Sequence, residues 1–132
     1  MKTRHIYFAI VTGLLSAIIT FLYAKVFQEA LIVDYSEVIS TEAIFISCIV
    51  GSILATAGYT ALVKVIPKYG EIIFGLLFAM ICFASIIGVF SAQLPDSDDE
   101  SYYFLFYGFA IPMHFFPFIT WYVLKPIFIK AK

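Results

Sequence analysis

The four longest apolar stretches of this 132-residue chain contain no aspartate and no glutamate. That absence removes a proton relay carried by acids within the spans, and with it an exporter built on a membrane-embedded carboxylate. Cysteine is nearly as scarce: Cys48 and Cys82 make no C-x-x-C pair, so thiol–disulfide exchange has no motif to work with. Cys48 is expected about one turn inside one boundary and Cys82 near the centre, about 7 Å apart along the membrane normal at 1.5 Å per residue. No disulfide is expected between them, and both read as inert thiols packed like small apolar groups. The chain also lacks a phosphate-binding glycine loop, a nucleophile with a base and an orienting group, and a basic patch for nucleic acid. It reads as a non-enzyme.

Apolar residues make up 63% of the chain and charged residues 13%, against about 45–50% and about 25% in soluble domains. The mean hydropathy is +1.01. A spanning helix needs about 20 apolar residues, and four segments meet that length: Ile6 to Val26, Ala43 to Val63, Ile72 to Leu94 and Tyr102 to Leu124. The connections are short, so residues 1–132 form one integral membrane domain, an all-α bundle of four transmembrane helices. A cleaved signal peptide is not expected at the start, because its apolar region would be only about 7–15 residues long and Leu22 stands where a cleavage site near Ala24 wants a small side chain.

The charges are sorted. Lys2 and Arg4 precede the first span, Lys64 and Lys68 lie between the second and third, and Lys125, Lys130 and Lys132 follow the fourth. Lys and Arg in short loops stay cytoplasmic, which predicts both termini inside, in a plasma or inner membrane. Eight carboxylates fall in the other two connections, leaving Glu71 as the one inner acid. Lys25, near the outer end of span one, reads as an interfacial anchor with Glu29 one turn beyond as its partner. Asp34 and Glu37 have capping-box spacing, which predicts a second helix from Tyr35 to Ile66, roughly 48 Å long. The acidic turn from Pro95 to Ser101 lacks the twelve-residue framework of a calcium loop and reads as a solvated stop.

Small residues recur at four-residue intervals on three spans: Ala9, Gly13 and Ala17; Ser47, Gly51 and Ala55 with Ser52 and Thr56 beside them; Gly75 and Ala79, then Ala84, Gly88 and Ala92. Such rows let neighbouring backbones approach. Span four carries eleven aromatic residues between Tyr102 and Tyr122 instead. Its end residues suit the headgroup level, and its interior phenylalanines are knobs for the smooth faces of the other three.

One constellation has chemical content. Ser16, Ser52, Ser85 with Cys82, and His114 come to one level near the bilayer centre when the spans are aligned, and Tyr107 and Trp121 lie one heptad either side of His114. Pro112 and Pro117 cannot donate, so the carbonyls of Gly108 and Met113 need other donors. The plain expectation is a neutral His114 bonded to a serine or a freed carbonyl, locking the fourth helix. The sharper one gives it a quinone carbonyl or a haem iron to bind. A second axial ligand is hard to find: His5 belongs at a boundary, and Met113 points about 100° away on the same helix. The leading reading is an accessory or interaction subunit acting through lateral contacts in the bilayer, with a membrane-protein partner or a second copy and with no cofactor. A redox-associated subunit comes next, and a transporter or channel component third.

Overall fold

The computed structural model describes residues 3–94 and 99–129. Four helices account for nearly all of them: α1 (Thr3–Leu31), α2 (Thr41–Val65), α3 (Gly70–Phe90) and α4 (Glu100–Phe128). All four are long and apolar enough to cross a membrane, and there is no strand among the described residues. Lys2, the acidic stretch at 95–98, and Lys130 and Lys132 lie outside the described residues, so the turn at Pro95 and part of the charge pattern have no structural account.

The helices form a ring. α1 packs on α2 and α4, α3 packs on α2 and α4, and α2 meets α4 across the diagonal, whereas α1 and α3 do not touch. The tightest seam is α1 against α2, made by the first of the small-residue rows. Ala9, Gly13 and Ala17 are all buried, and a Cβ on Gly13 would stand 2.9 Å from the Cα of Ile49. The backbones are therefore in direct contact, as small-xxx-small spacing permits. The second and third rows are only partly used. Ser52 and Thr56 turn inward and Gly75 receives the Tyr122 hydroxyl, but Gly51 and Gly88 face open space.

The second helix is shorter than its capping-box spacing implies. It starts at Thr41, with Ser40 as the N-cap accepting from the Ala43 amide, and at about 1.5 Å per residue it is roughly 37 Å long. Asp34 instead accepts from the Ser36 amide at 2.9 Å, a local turn of the kind Asp side chains favour. The reason lies in the neighbouring residue. Tyr35 is fully buried, and its amide donates to Gln28 Oε1 at 2.7 Å, so it is taken into the bundle and is not free to open a helix. α1 correspondingly runs on to Leu31 and ends with Ile32 at φ 53° and the Val33 amide returning to the Gln28 carbonyl, the wrap of a Schellman cap.

At the opposite end, Pro67 forces the α2–α3 turn, since the residue before a proline is driven out of the helical region and Ile66 stands at φ −126°, ψ 75°. Gly70 completes it: a Cβ there would lie 2.5 Å from the Leu62 carbonyl oxygen. α4 stays helical through Pro112, Pro117 and Pro126. The aromatic residues of α4 build two separate cores. Phe106 and Phe109 join Tyr35, Ile44 and Val89 at the end carrying the α1–α2 connection, and Trp121 joins Phe8, Tyr59 and Phe74 at the end carrying the chain termini.

Candidate functional site

His114 sits between those two cores, half-buried. Its Nδ1 lies 2.8 Å from the carbonyl oxygen of Ala110, one turn back on its own helix. This corrects the expected bond to a serine or to a proline-freed carbonyl: an i−4 carbonyl is always within reach of a helical side chain, and the three serines are already engaged. Ser16 Oγ donates to the Gly13 carbonyl at 3.0 Å. Ser52 Oγ donates across the seam to the Ala9 carbonyl at 2.8 Å, and Ser85 Oγ to the Cys82 carbonyl at 2.7 Å. The two aromatic residues one heptad away also have other partners. Tyr107 packs on Phe90 of α3, with ring centres 4.9 Å apart. Trp121 is 1% exposed and donates from Nε1 to Thr56 Oγ1 at 3.1 Å. The six residues thus share one stretch of the bundle but form no bonded network with one another.

With Nδ1 facing an acceptor, a neutral imidazole here would hold its proton on Nδ1 and have Nε2 as its lone-pair nitrogen. This is the arrangement in which an imidazole can accept a hydrogen bond or ligate a metal.

Pro112 frees the carbonyl of Gly108, as expected, and a donor is found for it on another helix. The Tyr23 hydroxyl of α1 bonds it at 2.7 Å. This bond ties α1 to α4 at the point where α4 lacks its own ladder contact.

Lys125, counted in the sequence among the cations that follow the fourth span, has a structural role in the bundle. It lies inside α4, is 9% exposed and forms an ion pair with Glu71 in the first turn of α3. Its Nζ also stands 4.8 Å from the centre of the Tyr59 ring, a cation–π contact. A buried ammonium needs such partners because desolvation is otherwise too costly. The signal in the sequence was the isolation of Glu71, the one acid in the stretches that carry the Lys and Arg excess. Lys25, by contrast, is exposed and lies over Phe21 at 5.9 Å. The Glu29 pair expected for it does not form, and the ion pair among the described residues is the one at Lys125.

A second unforeseen device is a reciprocal clasp between the α1–α2 connection and α4. Tyr35 Oη donates to the Tyr102 carbonyl at 3.0 Å, and Tyr102 Oη donates to the Asp34 carbonyl at 2.9 Å. Burial first, and the neighbouring Tyr102 second, push the Tyr35 phenol up to about 12. Bonds from the side chain and amide of Ser36 hold the Asp34 carboxyl below the usual carboxylate range, and Ser101 does the same for Asp99 at the start of α4.

Cys48 and Cys82 are both free and buried. No group of three or more His, Cys, Asp or Glu side chains among the described residues is placed to hold a metal ion.

An all-helical chain with four apolar helices of spanning length is a small polytopic membrane protein of the helical-bundle class. No family model, no curated protein and no solved structure matches it.

Proposed function

We propose that this chain is a non-enzymatic membrane subunit that works by lateral contact, offering the uncovered faces of α2 and α3 to a partner helix in the bilayer. One contrast carries the reading: the same small-residue device is filled on α1 and only partly used on the other two. Gly13 is pressed against the backbone of Ile49, whereas nothing lies within 4 Å of the Cβ positions at Gly51 and Gly88. α3 is also the most apolar helix, with a mean hydropathy of 2.7, and only 17% of its spanning window is buried by its own chain. Without a hydrophobic force between helices, association in lipid rests on close backbone approach, which glycine at these two positions permits. The Lys and Arg bias supports an orientation with both termini cytoplasmic, in a plasma or inner membrane, and reporter fusions at the two ends test it directly.

The test is a photoreactive side chain placed at Gly88 and, for comparison, at Leu22, an exposed position on α1, with crosslinking in native membranes. A discrete protein adduct from position 88 and none from position 22 is expected. Lipid adducts alone at both positions would refute the reading.

One observation favours a second reading. With Nδ1 on the Ala110 carbonyl, the Nε2 lone pair of a neutral His114 would accept from the hydroxyl of a reduced quinone (a quinol) or serve as an axial ligand for haem, whereas the expected bond to a quinone carbonyl would need the proton on Nε2. An absorption spectrum of protein purified from its native membrane, with and without His114→Ala, decides it. A Soret band lost in the variant supports haem. Identical spectra and identical quinone retention in the two proteins dispose of both versions.

A further inference from the structure

Beyond lateral association, the end of the bundle that carries the α1–α2 connection holds a cavity of about 340 Å³, within the size range of about 300–1,000 Å³ of small-molecule sites. Its walls come from the last turns of α1, the connection itself and the first turn of α2. Two kinds of surface meet there. Lys25, Glu29 and Asp34 supply one cation and two carboxylates, and Ser36 and Thr41 add hydroxyls. Phe21, Val33, Ile39 and Ile44 make the rest of the lining apolar. The site lies at the end of two membrane-length helices, where headgroups meet acyl chains.

From this juxtaposition we infer that the cavity binds the headgroup of a phosphatidylethanolamine-type lipid, with the phosphate at Lys25 and the primary ammonium at Glu29 and Asp34. The charges select the class. An anionic headgroup without an amine would answer Lys25 but leave both carboxylates without a counter-charge. Phosphatidylcholine carries the right signs, but its quaternary ammonium has no N–H to donate and is ordinarily recognised by a cage of aromatic rings; the lining offers Phe21 as its one ring. An ethanolamine ammonium has three donors, which match carboxylate and hydroxyl acceptors. A free water-soluble zwitterion would make no use of the apolar walls. The Lys25 ammonium already lies over the Phe21 ring at 5.9 Å, on the boundary between the polar and apolar linings. Gln28, also in the lining, is occupied in holding the connection in place through Tyr35 and the Ala24 carbonyl, which keeps the wall formed.

The experiment is native mass spectrometry of the full chain in detergent, with equal amounts of dioleoyl-phosphatidylethanolamine, -phosphatidylcholine and -phosphatidylglycerol. The ethanolamine lipid should be retained over the other two by about tenfold, the scale of one or two charge-assisted bonds at a partly solvated site. The Glu29→Gln/Asp34→Asn double variant should bring it down to the choline level, and Lys25→Ala should weaken it as well. Lys64→Ala, an exposed cation at the other end of α2, should leave it unchanged. These substitutions are at the surface or in the connection, and unaltered emission of Trp121 verifies that each variant is folded. Equal retention of the three lipids, or a preference that survives the double variant, overturns the inference. So does displacement of the lipid by equimolar phosphoethanolamine, which would make this a site for a soluble zwitterion. None of these results bears on whether position 88 meets a partner.

Discussion

The close approach at Gly13 makes a sharp demand. Its ideal Cβ would lie 2.9 Å from Ile49 Cα and 3.4 Å from both the Cys48 carbonyl oxygen and Ser52 Cβ. The first contact falls short of an ordinary carbon–carbon separation by roughly 0.6 Å, and backbone cannot swing aside as a side chain can. Gly13→Ala must therefore part α1 from α2. Parting them stretches the Ser52 bond to the Ala9 carbonyl, now 2.8 Å, towards the limit of about 3.5 Å at which it ceases to count. Overpacking of this kind costs about 1–3 kcal/mol, and the better helix propensity of alanine returns up to about 1 kcal/mol. Gly51→Ala and Gly88→Ala gain the same propensity with no clash, since both face open space. The expected result is a difference of about 2 kcal/mol between Gly13→Ala and either of the other two, with Gly13→Leu worse still. The assay is unfolding in mixed micelles followed by fluorescence, for which the single tryptophan, Trp121, is well placed: it is 1% exposed and bonded to Thr56. A Gly13→Ala protein as stable as Gly51→Ala would refute the seam.

Glu71→Ala strands the Lys125 ammonium at 9% exposure. Because the Glu71 side chain is itself 59% exposed, the loss should be about 1–2 kcal/mol and not the full penalty of a buried pair; adding Lys125→Met should restore most of it in the same unfolding assay. Tyr23→Phe leaves the Gly108 carbonyl without its 2.7 Å donor and should cost about 1 kcal/mol, whereas no change would mean that another donor replaces the hydroxyl. Ile32 is a β-branched residue at φ 53° and is 92% exposed, so Ile32→Gly should raise stability by about 1 kcal/mol, read as a higher Tm. The Tyr35 phenol is held neutral up to about 12 from an ordinary value near 10, so the folded state retains a proton that the unfolded chain releases between those values. Stability is whole below pH 10 and falls as pH rises from about 10 towards 12. Tyr35→Phe should flatten that alkaline slope, and an unchanged slope would assign it to other groups.

How far the sequence could be read depended on the range of the physics involved. Four spans, their order and the use of Gly13 are written in local hydropathy and spacing, signals that act within a few turns of one helix. The donor for the Gly108 carbonyl was also legible in kind, because a proline always removes its own amide, but Tyr23 as its source was not. Tyr35 shows where local reading fails. Capping-box spacing at Asp34 and Glu37 is a weak preference of about 1 kcal/mol, and burial of a whole tyrosine against Tyr102, Phe106 and Phe109 outweighs it. The constellation around His114 rested on depth, and depth alone does not determine azimuth. Each serine donates to a main-chain oxygen instead.

Lys125 joins these two lessons to function. The same residue that the sequence offers as an orientation signal under the positive-inside rule fastens α4 to α3 through Glu71 and to α2 through Tyr59. α3 has no contact with α1 and is held by α2 and α4 alone. Along the α4 side its attachments run from this ion pair, through Gly75 under the Tyr122 hydroxyl, to the Phe90–Tyr107 ring contact at the far end. A helix pinned along one edge in this way presents its opposite face to lipid without needing that face for its own stability. Substitutions at Gly88 should accordingly leave the bundle intact and, under the proposed lateral contact, change only what it meets, which would make partner contact and folding separable on α3 in a way they are not on α1.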